Sequence, residues 1–273
     1  MVPPSSNHFI LSFPKPHILL VTINRPKQRN SIPSDAHWDA HTIFSWFDNE
    51  PSLLVAIITG AGDKAFCAGQ DLTEQSQNAT AATEKGGAQT QLHHPPTGFL
   101  GLSQRKGKKP VLAAVNGFAL GGGFETCLNC DMIVASPTAT FGLPEITVGL
   151  YAAAGGLARL AHITGLPLAS ELALTARRLS AQEALDYRLI NRISANPVEE
   201  CVKLAEAMGK FSPDAIIVTR QGLREAWETG SVEEATRRTK QEYGEKLFRG
   251  ENFRIGVQAF AKKEVPRWVA SKL

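Results

Sequence analysis

The stretch PVLAAVNGFALGGGFETCLNCDMIVAS, from Pro110 to Ser136, decides the fold. Val111 to Val115 is a continuous apolar run of strand length, and Met132 to Ala135 is another, so both predict buried strands. Between them, Gly121-Gly122-Gly123 breaks the run and leads into a short helix that carries Glu125. Upstream, ILLVTINR from Ile18 to Arg25 is a strand stopped by Pro26, and LLVAIITG from Leu53 to Gly60 is a second. The helix between these two takes Ser34 as its cap and Ala36, Ala40, Ile43 and Phe47 as its buried stripe. Strands alternating with helices predict a layered α/β core.

Downstream of Gly165 the pattern becomes helical. Ser180 with Glu183 and Ser231 with Glu234 read as capping boxes, and Ser212-Pro213 as a cap followed by an N1 proline. Val198, Cys201, Ala205 and Met208 form one apolar stripe. The division expected is a core over residues 1–195 and a helical oligomerisation region over 196–273. From Thr73 to Lys109 periodicity is lost in favour of Gln, Thr, Ala, Gly and Lys, which predicts a mobile excursion, a lid in preference to plain slack, with Phe99, Leu100 and Leu102 able to face a ligand.

Composition bounds the partners. The 273 residues are 43% hydrophobic and 20% charged, with 29 Lys+Arg against 26 Asp+Glu. A net charge of +3, evenly interleaved, gives little support to a nucleic-acid partner. The longest apolar run, Leu53 to Ile58, is far short of a membrane span, and MVPPSSNHF lacks the features of a secretory leader. Disulfides among the four cysteines are therefore not expected, and the sequon Asn78-Ala79-Thr80 would not meet its modifying enzyme. Ser271-Lys272-Leu273 matches the tripeptide read by peroxisomal import receptors at a free C-terminus, so import into the peroxisomal matrix is expected, or a cytoplasmic place if the source lacks peroxisomes.

GFALGGGFE, Gly117 to Glu125, brings backbone close to a ligand at a helix start, where unpaired N–H groups point outward. It is neither a Walker loop nor a dinucleotide fingerprint, since Ala119 stands at the second glycine. A second turn, AFCAGQDL from Ala65 to Leu72, follows the strand ending at Gly60. If the two strands are neighbours, one carbonyl oxygen can take an N–H from each turn, the arrangement that stabilises an enolate or tetrahedral oxyanion. Glu125 and Glu145 both sit at element boundaries beside glycine-rich backbone, and two carboxyls near one low-dielectric pocket divide into an acid and a base. Taken singly, the glycines also fit tight helix-to-strand packing, Glu125 a favourable charge at a helix start, and Glu145 a surface acid. Cys127 and Cys130 lack a second pair, and His37 and His41 lack the Glu of H-E-x-x-H, so packing is favoured over a metal site.

Together, NRPKQRNSI, DKAFCAGQDL, the Lys108 to Ser136 stretch, ATFGLPEITVGL and RRLSAQEALDYRLINRI resemble the enoyl-CoA hydratase/isomerase (crotonase) superfamily from about Ile18 to Trp268. Glu125 and Glu145 lie 20 positions apart, as do the two catalytic glutamates of hydratases in that family. The resemblance implies a spiral of repeated ββα units with a helical C-terminal region, assembled as homotrimers or hexamers. It implies hydration of a 2-enoyl-CoA thioester to the 3-hydroxyacyl-CoA, with CoA as part of the substrate and no separate cofactor or metal. The Gln70 and Gly122 N–H groups correspond to the oxyanion donors. Glu125 corresponds to the residue that activates water, and Glu145 to the one that protonates the α carbon.

The same resemblance assigns CoA and acyl contacts to Lys27, Gln28, Arg29, Ala68, Gln70, Asp71, Leu72, Gly121 and Gly122, with Tyr151, Ala153, Phe260 and Lys263 further along. The basic run Arg105, Lys106, Lys108 and Lys109 reads as a solvated face or a guide for CoA phosphates. Tyr151-Ala152-Ala153 replaces a Pro-Gly region usual in hydratases. That departure implies an altered acyl or water pocket and leaves enoyl-CoA isomerase or acyl-CoA dehydratase as alternative activities. A non-catalytic acyl-CoA-binding or RNA-binding protein on the same fold is the alternative of a different class.

Overall fold

The computed structural model describes residues 2–77 and 94–273. Six strands form one sheet in the order β1 (Phe9–Ser12), β2 (Ile18–Ile23), β3 (Val55–Gly60), β5 (Val111–Val115), β7 (Met132–Ala135) and β10 (Arg192–Ile193). A second sheet of four runs β4 (Ala65–Cys67), β6 (Phe118–Leu120), β8 (Thr140–Gly142) and β9 (Leu179–Ser180). Strands β3, β5 and β7 pair in parallel, and so do β4, β6 and β8. Each turn of the chain therefore lays one strand in each sheet before moving on, which is the ββα spiral.

The apolar runs are continuous because both faces of the large sheet are covered. Alternation of period two divides each strand between two cores. Ala56, Ile58, Val111, Ala113 and Val115 face the core that contains the helix Ser34–Asn49. Val55, Ile57, Leu112 and Ala114 face the opposite way, against Cys201 and Ala205 of the helix Pro197–Met208. The first helix of the C-terminal region thus closes the second face of the central sheet. No helix among the described residues is long and apolar enough to cross a membrane.

Several expectations are corrected by packing. Phe99, Leu100 and Leu102 are buried in the core rather than facing a ligand, with Phe99 beneath the glycine turn at Gly122. Of the expected lid, residues 78–93 lie outside the described residues, as does the sequon at Asn78. The basic run is not a solvated face. Arg105 is buried on Asp48, with Nε 3.1 Å from Oδ2. Lys109 Nζ donates to Phe47 O at 2.9 Å and Glu50 O at 2.6 Å, neutralising the C-terminal end of the first helix. Lys108 Nζ donates to Leu273 O at 2.7 Å, so of this run only Lys106 stands well out, beside Glu228 at 3.6 Å. Ser34 is not a cap: Pro33 holds that position, and Ser34 N–H and Oγ both donate to the Glu74 carboxylate.

The later caps form as read, with one difference. Ser180 and Glu183 make a full reciprocal box. Ser212 accepts from Ala215 N–H and Ser231 from Glu234 N–H, but the Glu234 carboxylate turns to Arg237 and Arg238 instead of returning to the cap. Ser180→Ala removes the hydroxyl that accepts from Glu183 N–H, while the backbone N–H of residue 180 can still donate to the Glu183 carboxylate, and should lower unfolding stability by about 1 kcal/mol in urea titration. An unchanged midpoint would show the box to be energetically idle.

Candidate active site

The turn after β4 is stitched to the segment after β2. Ala68 N–H donates to Arg29 O at 3.1 Å, Ile32 N–H to Gly69 O at 2.9 Å, and Asp71 N–H to Ile32 O at 3.0 Å. In this parallel bridge the groups flanking Gln70 take the bonds to Ile32, so the N–H of Gln70 itself faces the other side. Gly69 has φ +97, and a Cβ there would lie 3.2 Å from Leu120 O and 3.9 Å from Gly122 N. The two glycine turns therefore abut. Gly122 is the first residue of the helix Gly122–Asn129, where an N–H has no acceptor within the helix.

Each glycine of the triplet answers to a different neighbour. A Cβ on Gly123 would meet Cys67 O at 2.6 Å, and one on Gly122 would meet the Phe99 ring at 2.5 Å. At Gly121, with φ +55, the nearest atom is Glu145 Oε1 at 3.1 Å. Tight packing, one of the two readings of this run, holds at Gly122 and Gly123, while Gly121 lies against the Glu145 carboxylate. The strands that deliver the turns are the short β4 and β6, paired in parallel, rather than β3 and β5 directly.

The helix places Glu125 on the inner side, 3% exposed. Its Oε1 accepts from the N–H groups of Ala154 and Gly156, both at 2.8 Å. Gly156 has no room for a side chain, since a Cβ would lie 2.6 Å from Glu125 Cγ. Burial raises the Glu125 pKa, opposed by these two N–H groups and by Arg159. Glu145 opens the 3-10 turn Glu145–Val148 and is half-buried, and its Oε2 has no partner among the described residues. Burial, with the Glu125 charge adding to it, pushes the Glu145 pKa up to about 7. One carboxyl thus has two N–H donors from a distant segment that favour its anion, and the other has only the N–H of its own residue.

Other residues singled out from sequence divide clearly. Lys27, Gln28 and Arg29 are exposed beside the Gly69 turn, where Ala68 and Asp71 are half-buried and Leu72 is exposed. Tyr151 is 70% exposed and Ala153 is also exposed, and the N–H that reaches Glu125 is that of Ala154. Phe260 and Lys263 are exposed at the end of the helix Glu251–Lys262, with no contact to the glutamates among the described residues. Ser271, Lys272 and Leu273 lie along the body, Lys272 near Glu251 at 3.6 Å. His37 and His41 take separate partners, Gln70 and Thr97, and the thiol of Cys130 is pushed up to about 12 by burial.

Sequence reading missed the supports. Asn30 is buried with φ 56 and donates to Ala61 O and Ala65 O, which holds the entrance to the Gly69 turn. Its signal was an Asn at a turn, a residue that tolerates positive φ. His37 bonds the Gln70 side chain at 2.9 Å, for which the sequence carries no local sign. The glycine pair Gly155-Gly156 is visible in the sequence, but nothing local ties it to Glu125.

Comparison with known proteins agrees with this geometry. The family model for enoyl-CoA hydratase/isomerase matches residues 15–271. The chain is 44% identical to a mevalonyl-coenzyme A hydratase of Aspergillus fumigatus, covering 99% of this chain and 98% of that protein. It is 36% identical to a carnitinyl-CoA dehydratase of Escherichia coli, over 92% of this chain and 94% of the relative. Among solved structures, an enoyl-CoA hydratase from Mycobacterium tuberculosis superposes with a TM-score of 0.84 at 30% identity, covering 97% of this chain and all of that one. Two abutting glycine turns, two carboxyls of unlike environment and a match along nearly the whole chain lead to one conclusion: this chain belongs to the enoyl-CoA hydratase/isomerase family.

Proposed function

We propose that this hydratase/dehydratase-type enzyme adds water across the 2,3 double bond of an enoyl-CoA thioester, or removes it from the 3-hydroxyacyl-CoA. The observation that carries the reading is the unequal pair of carboxyls beside the two glycine turns. The thioester oxygen sits between the N–H groups of Gln70 and Gly122, which stabilise the enolate as charge develops. Glu125, anchored through Oε1, keeps Oε2 for a water and takes its proton as the hydroxide equivalent attacks the β carbon. Glu145 gives its proton to the α carbon. The pair begins and ends with one proton, so the same site runs the dehydration in reverse.

An anchored water base together with a separate acid favours hydration over double-bond migration, for which one shuttling carboxyl suffices. The relatives named for mevalonyl-CoA and carnitinyl-CoA support a functionalised acyl group over a plain fatty chain. Lys27, Gln28 and Arg29 are the proposed holders of CoA. The helical C-terminal region, with Phe253, Val257 and Phe260 exposed on one helix, is the proposed contact between copies in a trimer or hexamer. Import into the peroxisomal matrix through Ser271-Lys272-Leu273 is a proposal from sequence alone.

The test is loss of ultraviolet absorbance of 2-enoyl-CoA thioesters of graded length and branching with purified protein, with products identified by mass. Gain of one water is the expected result. Unchanged thioesters, or an isomer of equal mass, would remove the hydratase reading.

A further inference from the structure

The side chain of Gln70 is oriented by a chain of hydrogen bonds whose direction can be worked out from one end. The backbone N–H of Leu100 can only donate, and it points at His37 Nδ1 at 3.1 Å, so that nitrogen carries no proton. His37 is fully buried, and burial, together with His94 beside it, lowers its pKa to about 4. The neutral ring therefore has its one proton on Nε2. That nitrogen lies 2.9 Å from the Gln70 amide oxygen, Oε1, which must accept. The usual ambiguity between amide oxygen and nitrogen is removed by this chain of donors.

What remains is Gln70 Nε2, with two N–H donors, sealed from solvent and without an acceptor among the described residues. Unpaired buried donors are rare in folded proteins, and each calls for an explanation, a bound group among them. The cluster is held in place by the rings around it, with His37 edge-on to His94 at 4.4 Å and to Phe99 at 4.6 Å. Among the described residues the charged and titratable groups beside it supply no free positive charge. Arg25 is paired with Asp71 at 2.7 Å, and burial lowers the pKa of both histidines. A neutral oxygen suits such donors better than a carboxylate, which would need a countercharge.

Resting on the reading of the Gln70 backbone N–H as an oxyanion donor, we infer that the Gln70 side-chain amide selects the substrate by donating to a hydroxyl oxygen on the acyl group, with His37 as its positioning residue. The backbone N and Nε2 of one glutamine are at most about 6 Å apart. The amide thus reaches an oxygen a few carbons along the acyl chain from the thioester. The same residue holds the reacting carbonyl through its main chain and reads the acyl substituent through its side chain.

Titration calorimetry on non-reacting thioesters tests this. The probes are 4-hydroxybutanoyl-CoA against butanoyl-CoA and 5-hydroxypentanoyl-CoA against pentanoyl-CoA. The wild-type protein should bind the hydroxylated member of at least one pair about 10-fold more tightly, the effect of one buried neutral hydrogen bond. Gln70→Met keeps the backbone N–H and the side-chain length but has no donor, and should bring that ratio close to one. Equal binding of both members by wild type overturns the inference without recourse to any variant, and so does a Gln70→Met protein that keeps the preference. Failure of all four thioesters to bind would overturn the oxyanion reading of the site itself.

Discussion

Glu145→Gln lowers the rate of hydration by about 10²- to 10⁴-fold while thioester binding persists, the range expected for removal of a positioned general acid. An amide is the same size and cannot supply the proton, so the loss falls on kcat. The wild-type pH profile follows from the same pair. The active form holds one proton between Glu125 and Glu145, and the alkaline limb appears as that proton leaves, near the Glu145 value of about 7. Activity in both directions should fall above that pH, because hydration and dehydration share one protonation state. Stability should move the other way in the variant. A carboxyl whose pKa is raised on folding contributes stability below its ordinary value near 4.5 and loses it as pH rises to about 7. Glu145→Gln has nothing to ionise there, so it should be the more stable protein at pH 8 and the far less active one. A variant of near wild-type rate would end the assignment of Glu145 as the acid.

Gly69→Ala should lower kcat/KM by about 10²- to 10³-fold, the effect of losing one oxyanion donor. Two observations require glycine here. The backbone is at φ +97, which side-chain-bearing residues rarely adopt, and a Cβ would press on the backbone oxygen of Leu120 at 3.2 Å. Relief of that contact separates the two turns and moves the Gln70 N–H away from that of Gly122. Stability should fall as well, by about 1–3 kcal/mol for strain at such a position. Gly230→Ala is the control, with φ +64 at a helix end and nothing within 4 Å of its Cβ. It should cost about 1 kcal/mol with no change in rate. Full activity in Gly69→Ala would show that this turn does not hold the thioester.

The parts of this protein legible from its residues alone were those set by local rules. Strands β2, β3, β5 and β7 are apolar runs of strand length, the caps at Ser180 and Ser212 follow from residue type, and the glycine turns interrupt otherwise continuous strands. Glu125 and Glu145 stood out by their places at element boundaries and by their spacing. Strands β4, β6 and β8, three residues each, were too short to show a period. Phe99 reads as facing a ligand and the basic run around Arg105 as a solvated face because their partners, Gly122, Asp48 and the carbonyls of Phe47 and Glu50, are distant in sequence.

The sequence by itself determined the layered core and the residue types at the candidate site, because side-chain periodicity, capping and turn conformation depend on neighbours a few positions away. Only the tertiary structure decided which carboxyl is anchored and which is left free. Glu125 finds its N–H donors 29 and 31 positions on, and Gln70 finds its histidine 33 positions back. Those meetings depend on strand register and on helices closing over the sheets, and the burial they produce is what separates the two glutamates in their hold on a proton.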